Sequence, residues 1–286
     1  MELGVHFMDF LPGDPKRLAP TLADTAKAAE QGGATMFSVA DHFFLPMGPA
    51  ENPFLECYTS LGFLAGQTTT ITLTTLVTGV TYRYPGVLAK TVTTLDVLSQ
   101  GRSMLGIGAG YYEREHVALG IPYPPVRERF EMLEEAMQIC AQMWSDNDGP
   151  TSVSTTSWPR HLSAAADRRP PILIGGAGEK KTLRLVAQYA DVWNATPLTA
   201  EELKHKIDVL NEHCAAVGRD PAQIRKTAEQ HVDPFDDLDG YLRTLESYAK
   251  IGIDLVNVGP WPGNPDPVGF VRRLGDEVVP RLASIG

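Results

Sequence analysis

The chain has 286 residues, 43% hydrophobic and 21% charged, with a formal net charge of −10. This length lies slightly above the roughly 250 residues of a single (β/α)₈ barrel, and the composition is that of an ordinary globular domain. The negative charge, with no stripe of lysine and arginine to offset it, argues against nucleic acid or an anionic membrane as a partner. Three cysteines without CxxC spacing argue against a disulfide framework or a zinc cluster.

The sequence shows no pattern typical of a secretory signal or of a membrane helix. The amino terminus has no basic region followed by an apolar core, as a secretory signal would have. No apolar run approaches the roughly 18 residues that a membrane helix needs. We therefore expect a soluble protein in the cytoplasm.

Short apolar segments alternate with amphipathic segments along the whole chain. The predicted strands are Leu3–Phe7, Met36–Ala40, Ile71–Val77, Ser103–Gly108, Pro171–Gly175, Asp191–Asn194, Ile224–Glu229 and Asp254–Val258. The helical spacing is clearest in Leu18–Gln31, Val87–Leu98, Glu128–Trp144, Lys180–Tyr189, Ala200–Val217, Leu238–Ile251 and Pro267–Leu282.

Strict alternation predicts parallel strands joined by right-handed crossovers. Eight repeats favour one closed α/β domain over residues 1–286, a (β/α)₈ TIM barrel; a doubly wound open sheet is the structural alternative. Residues 145–169, between the fourth helix and the fifth strand, break the pattern and are rich in Ser, Thr, Asp and Pro. Long loops inside compact domains are usually functional or disordered, so this insertion is interpreted as a lid.

In such barrels, catalytic residues lie where strands end. Asp41 and His42 follow the second strand, and a carboxylate beside an imidazole can orient it for proton transfer. The alternative is that Asp41 caps a loop while backbone groups satisfy His42.

Two glycine-rich segments also follow strands. Gly106, Gly108 and Gly110 allow backbone to approach a flat ligand, although such glycines often serve only tight turns. Gly175–Gly178 precedes a helix predicted to begin at Glu179 or Lys180, where free N–H groups and the helix dipole favour an anion. A plain glycine turn is the alternative.

Three aromatic residues near strand ends are candidates for the substrate pocket: Phe10, Tyr111 and Trp193. Trp193 either packs on a ligand or fills the barrel rim. His6 lies within the first strand, but a metal hydrolase of this fold would have a second histidine where Met8 stands. The sequence therefore predicts no metal site.

The chain resembles the luciferase-like monooxygenase superfamily, and within it the actinobacterial oxidoreductases that use coenzyme F420, a deazaflavin. The segments that carry the resemblance, in order, are Thr75–Pro85, Leu88–Lys90, Thr94–Arg102, Leu105–Gly110, Glu113–His116, Gly120–Pro124, Arg127–Glu135 and Pro171–Arg184.

The resemblance implies a cofactor lying across the strand ends. It implies that His42 faces the reactive ring carbon with Asp41 beside it, and that a non-prolyl cis peptide at Leu76–Val77 lies behind the ring. The cofactor-binding residues that it implies are Asp41, Leu76, Val77, Thr78, Gly108, Ala109, Gly110, Gly175, Gly176, Ala177 and Gly178.

Two positions depart from the pattern of the sugar-phosphate dehydrogenases in this superfamily. Tyr111 stands where they have an acid, which argues against that reaction, and the segment Asp148–Arg169 lacks the expected aromatic and glycine pattern.

We therefore expect an enzyme that transfers a hydride between F420 and a small-molecule substrate, which is an unsaturated or carbonyl compound, or an alcohol in reverse. The alternatives are a monooxygenase that uses FMN, a barrel metal hydrolase and a non-catalytic cofactor-binding protein. A homodimer, the commonest soluble oligomer, is the expectation for the assembly.

Overall fold

The computed structural model describes residues 1–8, 10, 14–46, 54–145, 151–153, 156–158 and 169–285. Its strands are β1 (Glu2–Phe7), β2 (Met36–Val39), β3 (Thr72–Thr75), β4 (Thr78–Gly79), β5 (Ser103–Gly108), β6 (Thr151–Val153), β7 (Thr156–Trp158), β8 (Ile172–Gly175), β9 (Val192–Ala195), β10 (Arg225–Glu229) and β11 (Leu255–Val258). Its helices are α1 (Pro15–Gln31), α2 (Cys57–Ala65), α3 (Pro85–Leu98), α4 (Glu113–Leu119), α5 (Val126–Met143), α6 (Thr182–Tyr189), α7 (Ala200–Ala216), α8 (Leu238–Lys250), α9 (Pro267–Arg273) and α10 (Val279–Leu282), with a 3₁₀ turn at Pro221–Gln223 and a π-helical turn at Leu274–Val278.

The strands form a closed parallel barrel, which confirms the predicted (β/α)₈ fold. The sheet runs in the order β3-β2-β1-β11-β10-β9-β8-β5-β4, and β3 also pairs with β5 to close it. Strands β3 and β4 are two pieces of one barrel position, interrupted at Leu76–Val77, so the barrel has the predicted eight positions.

The barrel strands are buried on both faces because helices cover the outside while side chains fill the inside. All six residues of β5 are buried, and so are all four of β2, β9 and β11. This double burial explains why β2, β5, β9 and β11 are mostly apolar in the sequence.

Polar caps set where several helices begin. The Asp14 side chain accepts from the Lys16 N–H at the start of α1, and Thr199 with Glu202 forms a reciprocal capping box at the start of α7. All three cysteines, on α2, α5 and α7, are free and buried, and burial raises the pKa of Cys140 to about 12.

Most of the predicted insertion, at 146–150, 154–155 and 159–168, lies outside the described residues. The two short strands within it, β6 and β7, pair antiparallel, with Ser152 opposite Ser157. The interpretation of this segment as a lid stays a prediction. In the part of the chain that the structure describes, no helix has the length and apolarity needed to cross a membrane.

Candidate functional site

A cavity of about 400 Å³ opens at the carboxyl ends of the barrel strands. Residues predicted from the sequence make up much of its lining: Asp41, His42, Leu76, Val77, Thr78, Gly108, Ala109, Gly110, Tyr111, Gly175 and Gly176. The structure thus brings together segments from four barrel positions that are far apart in the chain.

His42 follows β2 and is held in place by Glu115 from α4. The His42 Nδ1 lies 2.9 Å from Glu115 Oε2, and the two side chains are 12% and 0% exposed. The other ring nitrogen, Nε2, lies 3.3 Å from the Tyr111 hydroxyl at the cavity rim. An imidazole with one nitrogen fixed by a carboxylate and the other toward the cavity is arranged for proton transfer.

The Glu115 carboxylate is saturated with hydrogen bonds. Besides His42, it accepts from the backbone N–H groups of Phe43 and Phe44 at 2.5 and 2.9 Å and from the Tyr82 hydroxyl at 2.6 Å. Burial alone would raise the pKa of Glu115, but the hydrogen bonds from His42 and Tyr82 lower it below its usual value. Glu115 is therefore an ionised side chain that fixes the loop carrying His42.

Asp41 does not orient His42, which corrects the role expected for it. Its carboxylate is fully buried and pairs with Arg83, at 2.5 Å to Nη1 and 3.1 Å to Nη2. Arg83 also donates to Glu56 at the start of α2, at 2.6 Å. Successive residues after a strand point in opposite directions, so Asp41 turns toward Arg83 while His42 turns toward Glu115.

One wall of the cavity is built from backbone. The peptide bond Leu76–Val77 is cis, as predicted. The Val77 side chain packs against Gly108 and Gly175, where an added Cβ would lie 3.0 Å and 2.9 Å from its methyl carbons. Both glycines are therefore needed for Val77 to occupy this wall, and the wall that results carries few projecting side chains.

The glycine-rich turn after β8 has the conformation of an open loop. Gly176 has φ of 115°, a value that side chains disfavour, and its carbonyl accepts from the Trp193 indole N–H at 2.8 Å. Helix α6 begins at Thr182, later than the predicted start at Glu179 or Lys180. No backbone acceptor within the described residues engages the N–H groups of Ala177 and Gly178. These groups are free to bind an anion.

Two aromatic residues predicted for the substrate pocket lie elsewhere. Trp193 is fully buried within the core, and Phe10 packs against Phe7 and Phe54 with ring centroids 5.4 and 5.0 Å away. Neither lines the cavity, and both belong to the hydrophobic core. Tyr111, by contrast, is 68% exposed at the rim.

The sequence patterns do not single out a second carboxylate of the cavity, Glu229, at the end of β10. Its Oε1 lies 2.8 Å from His231 Nε2 and 3.8 Å from His6 Nε2, and all three residues line the cavity. The sequence does contain a feature that could indicate this carboxylate, since Glu229 and His231 are two residues apart at a strand end.

The family model for luciferase-like monooxygenases matches residues 1–250. The chain belongs to this family. It is 30% identical over 262 residues to an F420-dependent glucose-6-phosphate dehydrogenase of Kineococcus radiotolerans, covering 90% of this chain and 75% of that protein. The predicted resemblance to the family and to its F420-dependent oxidoreductases is confirmed.

Two further proteins resemble the chain over nearly its whole length. An uncharacterised protein of Mycobacterium tuberculosis is 29% identical over 280 residues, covering 89% of this chain and 92% of that protein. Among solved structures, an F420-dependent secondary alcohol dehydrogenase in complex with an F420–acetone adduct has a TM-score of 0.79 at 19% identity, covering 97% and 98% of the two chains. At this identity the structural likeness shows the fold.

Proposed function

We propose that the chain is an F420-dependent oxidoreductase that transfers a hydride between the deazaflavin and a small organic substrate. The substrate is a carbonyl or unsaturated compound, or an alcohol in the reverse direction. Family membership and the F420-dependent relatives support this proposal. The observation that carries it is His42, held by a saturated Glu115 and lining the same cavity as the Leu76–Val77 peptide, Gly108 and Gly175.

The residues present fit a deazaflavin. Gly108 and Gly175 leave room for the Val77 side chain to lie close against them, and the wall at Leu76–Val77 that results can accept a flat ring. The free N–H groups of Ala177 and Gly178 suit the cofactor's phosphate. When bound, coenzyme F420 supplies or accepts the hydride, while the protein supplies orientation and electrostatics.

His42 is proposed to hold or give the proton that accompanies hydride transfer. Glu115 is ionised and can only accept, so His42 Nδ1 carries a hydrogen and Nε2 is left to act toward the cavity. The Tyr111 hydroxyl, 3.3 Å from Nε2, can share this proton. Apolar residues, among them Leu45, Leu76 and Val77, line the same cavity as His42.

Cofactor titration tests the proposal. The purified protein is titrated with F420 and, in parallel, with FMN, and binding is followed by absorbance. A screen of ketones, enones and alcohols then follows the deazaflavin absorbance. Saturable F420 binding and turnover with at least one acceptor are expected.

The rival functions give different results. FMN binding with oxygen consumption would indicate a monooxygenase, and tight F420 binding without any turnover would indicate a cofactor-binding protein. A metal hydrolase would need a set of side chains that hold a metal. The described residues contain no group of three or more histidine, cysteine or acidic side chains placed to do so.

A further inference from the structure

The cavity contains a second group of titratable side chains that the proposed proton transfer at His42 does not use. It consists of His6 on β1, Glu229 at the end of β10 and His231 just beyond it, and we refer to it as the Glu229 cluster. Their side chains are 5%, 15% and 38% exposed. The cluster therefore extends from the cavity floor to the protein surface.

Within the cluster, only one carboxylate oxygen of Glu229 has partners. Both histidines approach Oε1, at 2.8 Å from His231 and 3.8 Å from His6. No described residue donates to Oε2, although Glu229 lines the cavity. Oε2 is therefore open to a hydrogen-bond donor, either water or a ligand in the cavity.

The charge of Glu229 is only partly offset. Burial would raise its pKa, but the hydrogen bond from His231 lowers it, so the carboxylate is ionised. Burial lowers the pKa of His6, which is therefore uncharged and bonds through Nδ1 to the Ser38 hydroxyl at 2.9 Å. His231 is left as the cationic partner, and it is more exposed than Glu229.

The rest of the lining does not add positive charge. Among the described residues that line the cavity there is no lysine or arginine. Arg83 lies behind Asp41, and its charge is taken up by Asp41 and Glu56. A ligand group with negative charge would therefore meet an ionised carboxylate that no described lysine or arginine of the lining offsets and that His231 offsets only in part.

We infer that Glu229 Oε2 is the recognition point for a hydrogen-bond donor of the substrate, a hydroxyl or a protonated amine, and that it selects against phosphate esters and carboxylates. The inference rests on the proposed function only in taking the cavity as the substrate site. It separates this chain from its relative named for glucose 6-phosphate by the charge of the substrate that it accepts.

A matched set of three probes tests this inference on the cofactor-free protein. Cyclohexanol, cyclohexylamine and cyclohexanecarboxylate share one ring and differ in the charge and donor character of one group. Binding is followed by the ring ¹H–¹⁵N signals of His6 and His231, which lie within the cluster. The alcohol and the amine are expected to shift these signals saturably, and the carboxylate is expected to bind at least about tenfold more weakly.

Glu229→Gln keeps the shape and removes the charge. In this variant we expect the amine to lose affinity relative to the alcohol and the carboxylate to gain affinity. Glu277→Gln makes the same chemical change at an exposed carboxylate paired with Arg273, and it should leave the order of the probes unaltered.

Three outcomes overturn the inference: equal binding of the carboxylate and the alcohol, an order that Glu229→Gln does not change, or no histidine shift by alcohol or amine at the solubility limit. Because the measurement needs no cofactor, it is separate from the fate of the proposed function. Failure of F420 binding would remove the proposed function while leaving the charge selectivity measurable.

Discussion

The cavity has two carboxylate–imidazole pairs, and they differ in how fully the carboxylate is bonded. Glu115 accepts from His42, Tyr82 and two backbone N–H groups, and its side chain is fully buried. Glu229 has both contacts on one oxygen and is 15% exposed. A saturated carboxylate can only hold its neighbours in position, whereas one with an unpartnered oxygen can still bind a ligand.

The difference follows from where each residue lies in the fold. Glu115 is in the first turn of α4, where it packs across the loop that follows β2 and reaches that loop's free N–H groups. Glu229 ends β10, so its side chain emerges at the mouth of the barrel. Local geometry thus gives one carboxylate a positioning role and leaves the other available.

Replacing His42 tests the first pair most directly. His42→Ala is expected to lower turnover about 10²- to 10⁴-fold, the usual contribution of a positioned acid or base, while F420 affinity changes far less. Steady-state kinetics with a cofactor titration would measure both. Unchanged turnover would exclude the proposed role of His42.

Asp41→Asn tests whether Asp41 helps to orient His42 in addition to Glu115. Because it breaks the buried contact with Arg83, we expect a loss of about 3–5 kcal/mol in the free energy of unfolding. The geometry of His42 rests on Glu115, so turnover per folded molecule should fall less than tenfold. Chemical denaturation and kinetics on the same preparation distinguish the two effects. A large loss of turnover with little loss of stability would show that Asp41 does orient His42.

Glu115→Gln weakens the positioning of His42 without removing the imidazole. An expected 10- to 100-fold loss of turnover is typical when a partner that orients a functional histidine is changed. Glu115→Asp, which keeps the charge, should recover part of the loss if positioning is the cause. Equal turnover in all three proteins would show that His42 is held by other contacts.

The second pair should show itself in the pH dependence of stability. The hydrogen bond to Glu229 raises the pKa of His231 above 6.5, so its stabilisation is present below that pH and disappears as pH rises through the folded-state value. The pKa of Glu229 is lowered from 4.5, so its stabilisation is present above that pH and disappears on acidification.

Glu229→Gln should therefore lower the Tm most between pH 4.5 and 6.5, bounded by the unperturbed values of the two groups. Because His231 is partly exposed, the difference should be small, about 1–3 °C, and should shrink at alkaline pH. Differential scanning fluorimetry from acidic to alkaline pH measures it. A difference that does not vary with pH would show that the pair is not ionised as described.

The barrel is largely predictable because its strands are buried on both faces. The predicted strand Ser103–Gly108 matches β5 at both ends, and all six of its residues are buried. The third strand is predicted as one segment over Ile71–Val77, but β3 ends at Thr75, and after the cis peptide at Leu76–Val77 the same barrel position continues as β4, beyond the predicted end. Helices α2 and α4 are short and were not predicted from periodicity, which needs several turns to show.

The site is predictable where it depends on backbone and less so where it depends on long-range side-chain contacts. The glycines leave a local pattern in the sequence, and the cis bond at Leu76–Val77 is implied by the resemblance to the family. Glu115 lies 73 residues from His42, and no periodicity links them. Asp41 is adjacent to His42 in the sequence, yet it faces Arg83 because alternate residues point to opposite sides.

The three buried cysteines allow local opening of the folded protein to be measured, because each thiol reacts with a reagent only when it becomes exposed. Burial raises the pKa of Cys57, Cys140 and Cys214, so neither the thiols nor their thiolates are available to reagents while the barrel stays closed. Each lies on a different helix of the outer layer. Thiol labelling of the native protein, with each cysteine peptide followed by mass spectrometry, would therefore measure separately how fast α2, α5 and α7 become exposed. Equal labelling rates would mean that the barrel opens as one cooperative unit.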